Sequence, residues 1–259
     1  MLHLLIQRLR QGKHTSSFPA GGAGLPERFR GRPGIEAAKC SGGCRDCAEA
    51  CPTGAIATSP VRIDLGACLF CMACQDACPE GALRYTADPR LAARNKADLI
   101  VAEGEDPKLV AALDAGMKRL FGRSLKLRQV SAGGCNGCEA ELVALGNVVF
   151  DLSRFGIEFV ASPRHADGLV VTGPVTQNME LALRETYAAV PSPKIVIAVG
   201  ACAISGGPFA GSSVCKNGVP ADIPVDLYVP GCPPHPVTLL DGLLRLLGRI
   251  QGDESRRAR

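Results

Sequence analysis

This chain carries thirteen cysteines in 259 residues, and most of them stand in closely spaced runs. The densest runs form an internal repeat within residues 40–85, where each copy reads as a cysteine cluster, then Cys-Pro, then Gly-Ala. Thiolates at such spacing bind zinc or iron–sulfur clusters. Each run packs four cysteines into eleven or twelve residues without a histidine, which favours iron. A disulfide framework is not expected, because such frameworks belong to small secreted chains and we find no export signal in the sequence.

The repeat fits the pattern C-x2-C-x2-C-x3-C-P, in which the fourth cysteine of each run ligates the cluster of the other run. On this pattern, the predicted ligands of cluster 1 are Cys40, Cys44, Cys47 and Cys78, and those of cluster 2 are Cys68, Cys71, Cys74 and Cys51. The first spacing is three residues instead of two, and Gly42 and Gly43 can absorb the extra residue. Residues 33–90 are therefore predicted to be a small α+β, bacterial-type 2[4Fe–4S] ferredoxin domain.

Four further cysteines are spread widely along the sequence. Cys135 and Cys138 form a C-x-x-C pair, which alone could be a redox dithiol, half of a zinc site or two ligands of a cluster. This pair, Cys202 and Cys232 each follow a predicted strand, and open parallel sheets bind ligands beyond the carboxyl ends of their strands. We therefore expect Cys135, Cys138, Cys202 and Cys232 to converge as the ligands of a third [4Fe–4S] cluster, cluster 3. Glycines in these loops would let the backbone approach the cluster: Gly133, Gly134, Gly200, Gly206, Gly207 and Gly231.

The sequence pattern that must position these cysteines changes near residue 123, where short β-rich runs begin to alternate with helical segments. Short β-rich runs are predicted at 125–130, 157–160, 168–173, 194–200 and 225–229, with helices near 138–153, 178–188 and 236–250. This alternation predicts an α/β fold with a flavodoxin-like, doubly wound parallel sheet over residues 123–250. Residues 91–122 are predicted to be a helical connector whose apolar face is formed by Leu109, Leu113, Met117 and Leu120.

The two ends of the chain differ from these domains. Residues 1–32 are predicted to hold a short cationic amphipathic helix followed by an extended arm, and residues 251–259 are expected to be disordered. The helix is expected to pack on its own domain or on a partner, or to contact a membrane surface. No stretch approaches eighteen apolar residues, so no membrane span is expected. Because we also find no export signal, the chain is expected to be cytoplasmic.

The formal net charge of +4 counts the cysteines as neutral. A [4Fe–4S] cluster held by four thiolates carries about −2 when oxidised, so three clusters would bring the chain to about −2. The basic balance therefore gives no support to a nucleic-acid partner. The sequence also lacks a phosphate loop and a dinucleotide fingerprint.

Four segments that contain or lie between the predicted ligands of cluster 3 resemble a known family. The segments are CNGCEAEL (135–142), FGIEFVASPRHADGLVVTGPVT (155–176), VGACAISGG (199–207) and IPVDLYVPGCPP (223–234). Over residues 125–248 the chain resembles the small subunit of membrane-bound group 4 [NiFe] hydrogenases of the formate hydrogenlyase type, and the homologous cluster-bearing subunit of respiratory complex I. FRGRP at 29–33 and the repeat resemble the ferredoxin-like subunit of the same complexes. The two are normally separate chains and are fused here.

The resemblance implies an electron-transfer subunit of an oxidoreductase complex without a complete catalytic site of its own. Three [4Fe–4S] clusters would relay electrons between a donor or acceptor and the Ni–Fe site of a large subunit. Membrane subunits would hold the chain peripherally on the inner face of the cell membrane. Complex I subunits usually start their ligand set with two adjacent cysteines, so the C-x-x-C pair favours the hydrogenase side.

Three alternatives remain open at this stage. The first is a complex I-like or hydrogenase-related subunit whose partner reduces a quinone or another acceptor. The second is a free ferredoxin-type carrier, which the long α/β domain disfavours. The third is a zinc-stabilised interaction module.

Several residues outside the cysteine sets are also candidates. Glu139 is a possible proton relay toward the partner's metal site, or a carboxylate that stabilises a helix N-terminus. Arg164 and His165 either make polar contacts near cluster 3 or form the turn before the next strand. Cys215 is expected to be a plain structural or surface thiol, and His235 is expected to be exposed.

Overall fold

The computed structural model describes residues 2–21, 24–41, 43–105 and 108–251. The predicted disordered tail lies, from residue 252 onward, outside the described residues. The described helices are α1 (Leu2–Gln11), α2 (Asp46–Glu49), α3 (Ala73–Asp76), α4 (Ala115–Phe121), α5 (Gly137–Ala144), α6 (Gln177–Ala189), α7 (Gly200–Ser205) and α8 (Pro236–Leu246). The described strands are β1 (Pro33–Ile35), β2 (Ile56–Thr58), β3 (Val61–Asp64), β4 (Leu83–Tyr85), β5 (Ile100–Ala102), β6 (Leu125–Ser131), β7 (Ile157–Phe159), β8 (Gly168–Thr172), β9 (Ile195–Val199) and β10 (Leu227–Val229).

The C-terminal half is built on a parallel five-stranded sheet with the order β10-β9-β8-β6-β7. Counted along this half, the order is 2-1-3-4-5 read from β7, which is the flavodoxin-like arrangement. Strands β8 and β9 are buried along their whole length, as expected for a sheet that is covered on both faces. The predicted α/β fold is confirmed.

The two faces of this sheet belong to two hydrophobic cores. Val170 and Ile197 pack on one side of the sheet with the leucines of α8. Every residue of this helix is buried. Leu169 and Val196 point to the other side, because successive strand residues face opposite ways. There they share a core with residues of the N-terminal half, such as Ile63. The second core therefore joins the two halves of the chain.

The ferredoxin-type unit is built from two small antiparallel sheets, β1-β4 and β2-β3-β5. The strands β2 and β4 come at equivalent places in the two copies of the repeat, and so do the four-residue helices α2 and α3. This arrangement agrees with the predicted ferredoxin-type domain. Strand β5 joins the unit from the segment that was predicted to be a connector, and Val101 pairs with Ile63 of β3.

The predicted helical connector at 91–122 is wrong over most of its length. The helix α4 covers only Ala115–Phe121, and β5 and a 3-10 turn at Lys96–Leu99 occupy the earlier part. Leu113 is buried, whereas Leu120 is 56% exposed, so the four predicted positions do not form one packed face. Asp114 caps α4 by accepting a hydrogen bond from the backbone of Met117, which explains why the helix begins so late.

The predicted N-terminal helix is present as α1, and none of its residues is buried. Leu4 is 72% exposed and Leu9 is 83% exposed. The helix therefore does not pack on the chain's own core. In the described part of the chain, no helix combines the length and apolar character that crossing a membrane requires.

Candidate metal centres

The four cysteines predicted for cluster 1 line a common apolar cavity. Its other walls are Ile35, Ala37, Val61, Ala82 and Leu83. Helix α2 holds Cys47 on the inner side of the cavity, where it is 7% exposed. Burial raises the pKa of Cys47, and the charges of Cys78, Cys40 and Cys44 raise it further. The structure thus brings these four thiols together, including Cys78 from the other run.

The four cysteines predicted for cluster 2 are similarly coupled. Burial raises the pKa of Cys68 to about 11, with further contributions from the charges of Cys74 and Cys51. Burial also raises the pKa of Cys74, to which the charges of Cys51 and Cys71 contribute. Iron would bind these groups as thiolates, so loading this site releases protons. Cys71 is the exposed member of the set.

Backbone amides point at the sulfurs of both sets. Ala55 N–H donates to Cys51 Sγ and Ala82 N–H donates to Cys78 Sγ, each at 3.3 Å. These two bonds are equivalent in the repeat, because both follow the Cys-Pro-x-Gly-Ala sequence. Such donors stabilise a cluster-bound thiolate, so the surroundings as well as the donor type suit an iron–sulfur cluster.

The third set comes from loops at the carboxyl edge of the parallel sheet. Cys135 and Cys138 follow β6, Cys202 lies in α7 directly after β9, and Cys232 follows β10. Burial raises the pKa of Cys138 to about 12, and the charges of Glu139, Cys202, Cys232 and Cys135 contribute. The parallel sheet therefore gathers four thiols that are up to about a hundred residues apart, as expected from its topology.

Gly200 shows why glycine is needed in these loops. Its φ is +87°, and a Cβ atom there would lie 2.5 Å from Cys138 Sγ. The residue must adopt a left-handed conformation and also leave room for the thiol. Any other side chain at this position would displace Cys138.

Glu139 is 7% exposed and points into the α/β domain. Its Oε1 accepts hydrogen bonds from Ser131 Oγ and Thr172 Oγ1, both at 2.6 Å. Burial acts to raise the pKa of Glu139, but these two hydrogen bonds and one from its own backbone N–H together outweigh burial, so the pKa lies below its ordinary value. The carboxylate thus joins the ends of β6 and β8 directly behind Cys138.

The other predicted residues fall into different surroundings. Arg164 and His165 lie in an exposed 3-10 turn, Pro163–His165, which leads into β8. Burial raises the pKa of Cys202, and the charge of Cys215 is the last of the contributions that raise it further. The expectation of an exposed His235 is wrong: it is partly buried, and its Nδ1 accepts from Val237 N–H at the start of α8.

Two residues of the N-terminal arm contact cysteine loops of different domains. Phe29 packs edge-on against His235, with ring centroids 5.4 Å apart. Arg30 donates to the carbonyl of Phe70, which lies between Cys68 and Cys71, at 3.0 Å. These residues line a cleft of about 320 Å³ together with Leu69, Phe70 and Cys232. The segment FRGRP carried only a resemblance in the sequence, and no local signal predicted these contacts.

Cys71 and Cys232 lie near this cleft and belong to different domains. Burial raises the pKa of Cys232, and the charges of Cys135 and Cys71 raise it further. Leu69 and Phe70, from the loop between Cys68 and Cys71, line one cleft together with Cys232 of the third set. Among the described residues, no three histidine, cysteine, aspartate or glutamate side chains are grouped closely enough to hold a single metal ion.

A flavodoxin-like domain with thiols at its sheet edge, preceded by a ferredoxin-type unit, defines the class of iron–sulfur electron-transfer proteins. The 4Fe-4S dicluster domain family matches residues 39–82, and the family "NADH ubiquinone oxidoreductase, 20 Kd subunit" matches residues 135–246.

Three relatives illustrate the range of this similarity. A probable membrane-bound hydrogenase subunit of Pyrococcus furiosus is 43% identical over 52% of this chain and 81% of its own length. Formate hydrogenlyase subunit 7 of Escherichia coli is 42% identical over 55% of this chain, which spans only 56% of that protein. An NADH-quinone oxidoreductase subunit of Heliobacterium modesticaldum is 50% identical over 44% of this chain and 66% of its own length.

The chain belongs to the NADH ubiquinone oxidoreductase 20 kDa subunit family and carries a 4Fe-4S dicluster domain ahead of the family's α/β domain. It is therefore an iron–sulfur subunit of the oxidoreductase class that includes hydrogenases and complex I-like enzymes. The resemblance drawn from the sequence motifs is confirmed.

Proposed function

We propose that this chain is the electron-relay subunit of a membrane-associated [NiFe] hydrogenase-type complex. Each of the three cysteine sets holds one [4Fe–4S] cluster, with the ligands assigned from the sequence. When bound, such clusters accept and pass on single electrons. The catalytic Ni–Fe site belongs to a large subunit, which docks at the third set. The C-x-x-C form of Cys135 and Cys138, together with the two hydrogenase-named relatives, supports the hydrogenase side.

The observation that carries this proposal is the cleft that the cysteine loops of the two domains share, since Leu69 and Phe70 line it together with Cys232. A relay needs its stations close together, and the two loops carry ligands of different sets. Cys71 is exposed on the ferredoxin-type unit, whereas Cys232 stands in the loop after β10. Phe29 and Arg30 are adjacent in the chain, and each contacts one of the two loops. This short segment therefore fixes the position of one loop relative to the other.

The direct test uses the complex purified with its partner subunits. Under H2, the wild-type complex is expected to show reduced clusters 1 and 2 by electron paramagnetic resonance (EPR). Cys232→Ala removes a ligand of the third site, so the same signals should then appear only with a chemical reductant. Reduction by H2 at the wild-type rate in Cys232→Ala would contradict a relay through the third set.

The complex I-like alternative keeps the same relay but gives it a different partner. It is supported by the 50% identity to the NADH-quinone oxidoreductase relative. The large subunit that co-purifies with this chain separates the two. Bound nickel and two C-x-x-C pairs in that subunit would establish the hydrogenase, whereas their absence would favour reduction of a quinone or another acceptor.

The relay of protons through Glu139 stays a prediction. Glu139→Gln keeps an acceptor oxygen for Ser131 and Thr172, but its amide cannot bind and release a proton as a carboxyl group does. We expect it to abolish hydrogen evolution while electrons still pass through the clusters. Glu141→Gln, two residues further along α5, is the matched control. Unchanged hydrogen evolution in Glu139→Gln would eliminate the relay.

Peripheral attachment to the inner face of the cell membrane through partner subunits is the last part of the proposal. Helix α1 presents Leu2, Leu5 and Leu9 to solvent together with Arg8 and Arg10. This helix is suited to docking beside those subunits at the membrane surface. Deleting residues 2–11 is expected to release the chain from the membrane fraction more readily in salt, and unchanged retention would contradict that role.

A further inference from the structure

The two copies of the internal repeat differ at one contact to sulfur. Tyr85, at the end of β4, places its hydroxyl 3.3 Å from Cys68 Sγ and 3.7 Å from Cys74 Sγ. Both sulfurs belong to the second set. The equivalent residue of the first copy, counted from Cys-Pro, is Thr58 at the end of β2. The shorter threonine has no such contact to a cysteine among the hydrogen bonds of the described residues.

A second position in the repeat changes together with Tyr85. Gln75 follows Cys74 in α3, and its Oε1 accepts a hydrogen bond from the backbone N–H of Tyr85 at 3.0 Å. The equivalent residue in the first copy is Ala48, which has no side-chain acceptor. Gln75 therefore ties α3 to the end of β4 and fixes the direction of the tyrosine ring. The ring of Phe70 packs against the ring of Tyr85, with ring centroids 6.0 Å apart.

The hydroxyl of Tyr85 is the side-chain donor best placed to serve a sulfur in this unit. Thr53 also lies near a cysteine, 3.7 Å from Cys51 Sγ, but its hydroxyl proton is used by the carbonyl of Ala67 at 2.8 Å. A sulfur that is bound to iron carries no proton, so the tyrosine must be the donor to Cys68. Reduction adds a negative charge that is shared with the ligand sulfurs, and an O–H dipole directed at one of them stabilises that charge.

We propose that Tyr85 is a positioning residue for electron transfer that raises the reduction potential of cluster 2 and so makes the two repeated sites electronically unequal. This inference rests on the proposed cluster assignment. One electron enters the cluster, no bond is made or broken, and the hydroxyl proton stays on Tyr85. The hydroxyl of Tyr85 therefore makes cluster 2 a better electron acceptor than it would be without this group.

The test is an EPR-monitored redox titration of the full-length, iron-loaded chain. Tyr85→Phe keeps the ring and removes only the hydroxyl, so the midpoint potential of cluster 2 is expected to become more negative while that of cluster 1 stays constant. Cluster 2 is identified by the signal that Cys71→Ala removes. Tyr187→Phe, on α6, is the matched control and should change neither midpoint. Gln75→Ala, which frees the end of β4, should shift cluster 2 in the same direction by less.

The outcomes separate this inference from the proposed function. An unchanged cluster 2 midpoint in Tyr85→Phe, or an equal shift of both clusters, would overturn the role of Tyr85 while leaving the relay intact. A wild-type chain without reducible clusters would refute the proposed function itself.

Discussion

The ferredoxin-type unit takes its thiols from two short runs of chain, whereas the third site collects its thiols from loops after three different strands. In the unit, the cysteines are part of the core: Cys47, Cys68 and Cys74 are buried, and the helices that hold Cys47 and Cys74 are four residues long. In the α/β domain, the leucines of α8 and the residues of β8 and β9 that face them, such as Val170 and Ile197, build a core whose buried members include none of the ligands. On the proposed cluster assignment, we therefore expect the ferredoxin-type unit to depend on its clusters for structure, and the α/β domain to keep its fold without its cluster.

Removal of iron gives the largest expected contrast between the two regions. Chelation of the full chain under reducing, anaerobic conditions should raise amide hydrogen exchange throughout residues 33–102. The interior strands of the parallel sheet should stay protected, because the core between these strands and α8 is apolar and holds no buried ligand. Equal loss of protection in both regions, or no loss in either, would break the comparison.

Loss of one ligand from the third site should have a smaller and more local effect. Cys232→Ala is expected to lower the iron content by about four of about twelve atoms per chain, with the fold of the sheet kept. Cys215→Ala is the matched control, and it should leave the iron content unchanged because Cys215 has no place in the proposed sets. Iron analysis with circular dichroism on both variants decides this, and equal iron losses would contradict the assignment.

A single methyl group at Gly200 tests the geometry of the same site. The added Cβ would lie 2.5 Å from Cys138 Sγ at a φ of +87°, so Gly200→Ala should reduce occupancy of the third cluster while keeping clusters 1 and 2. Gly211→Ala is a suitable control, since its φ is also positive, at +80°, but nothing lies within 4 Å of its added Cβ. Full occupancy in Gly200→Ala would show that the loop is more adaptable than the structure indicates.

The smallest effect is expected at the contact between the two regions. Ser205 Oγ donates to the carbonyl of Gly66 at 2.9 Å, or to that of Ala201 at 3.1 Å. Ser205→Ala should lower the free energy of unfolding by about 1 kcal/mol, as loss of one hydrogen bond typically does. Denaturant titration should show no comparable change for the exposed Ser213→Ala. An equal change in both variants would mean that this contact does not couple the regions.

The sequence was sufficient for features that are local or that follow from strand order. The repeat predicted the ferredoxin-type unit, and the position of Cys202 and Cys232 after strands predicted their convergence. Contacts between distant segments could not be predicted, because no periodicity encodes them. Pairing of β5 with β3, the packing of Phe29 on His235 and the contact of Tyr85 with Cys68 are of this kind. The apolar spacing at 109–120 led to the wrong prediction of a continuous helix, because Asp114 caps the helix and it begins only at Ala115.

The most direct test of the account is the metal content of the full chain isolated without oxygen. Three [4Fe–4S] clusters predict about 12 iron atoms and about 12 acid-labile sulfides per chain. Zinc in place of iron, or an iron content that Cys232→Ala does not lower, would contradict an electron relay that ends at the edge of the parallel sheet.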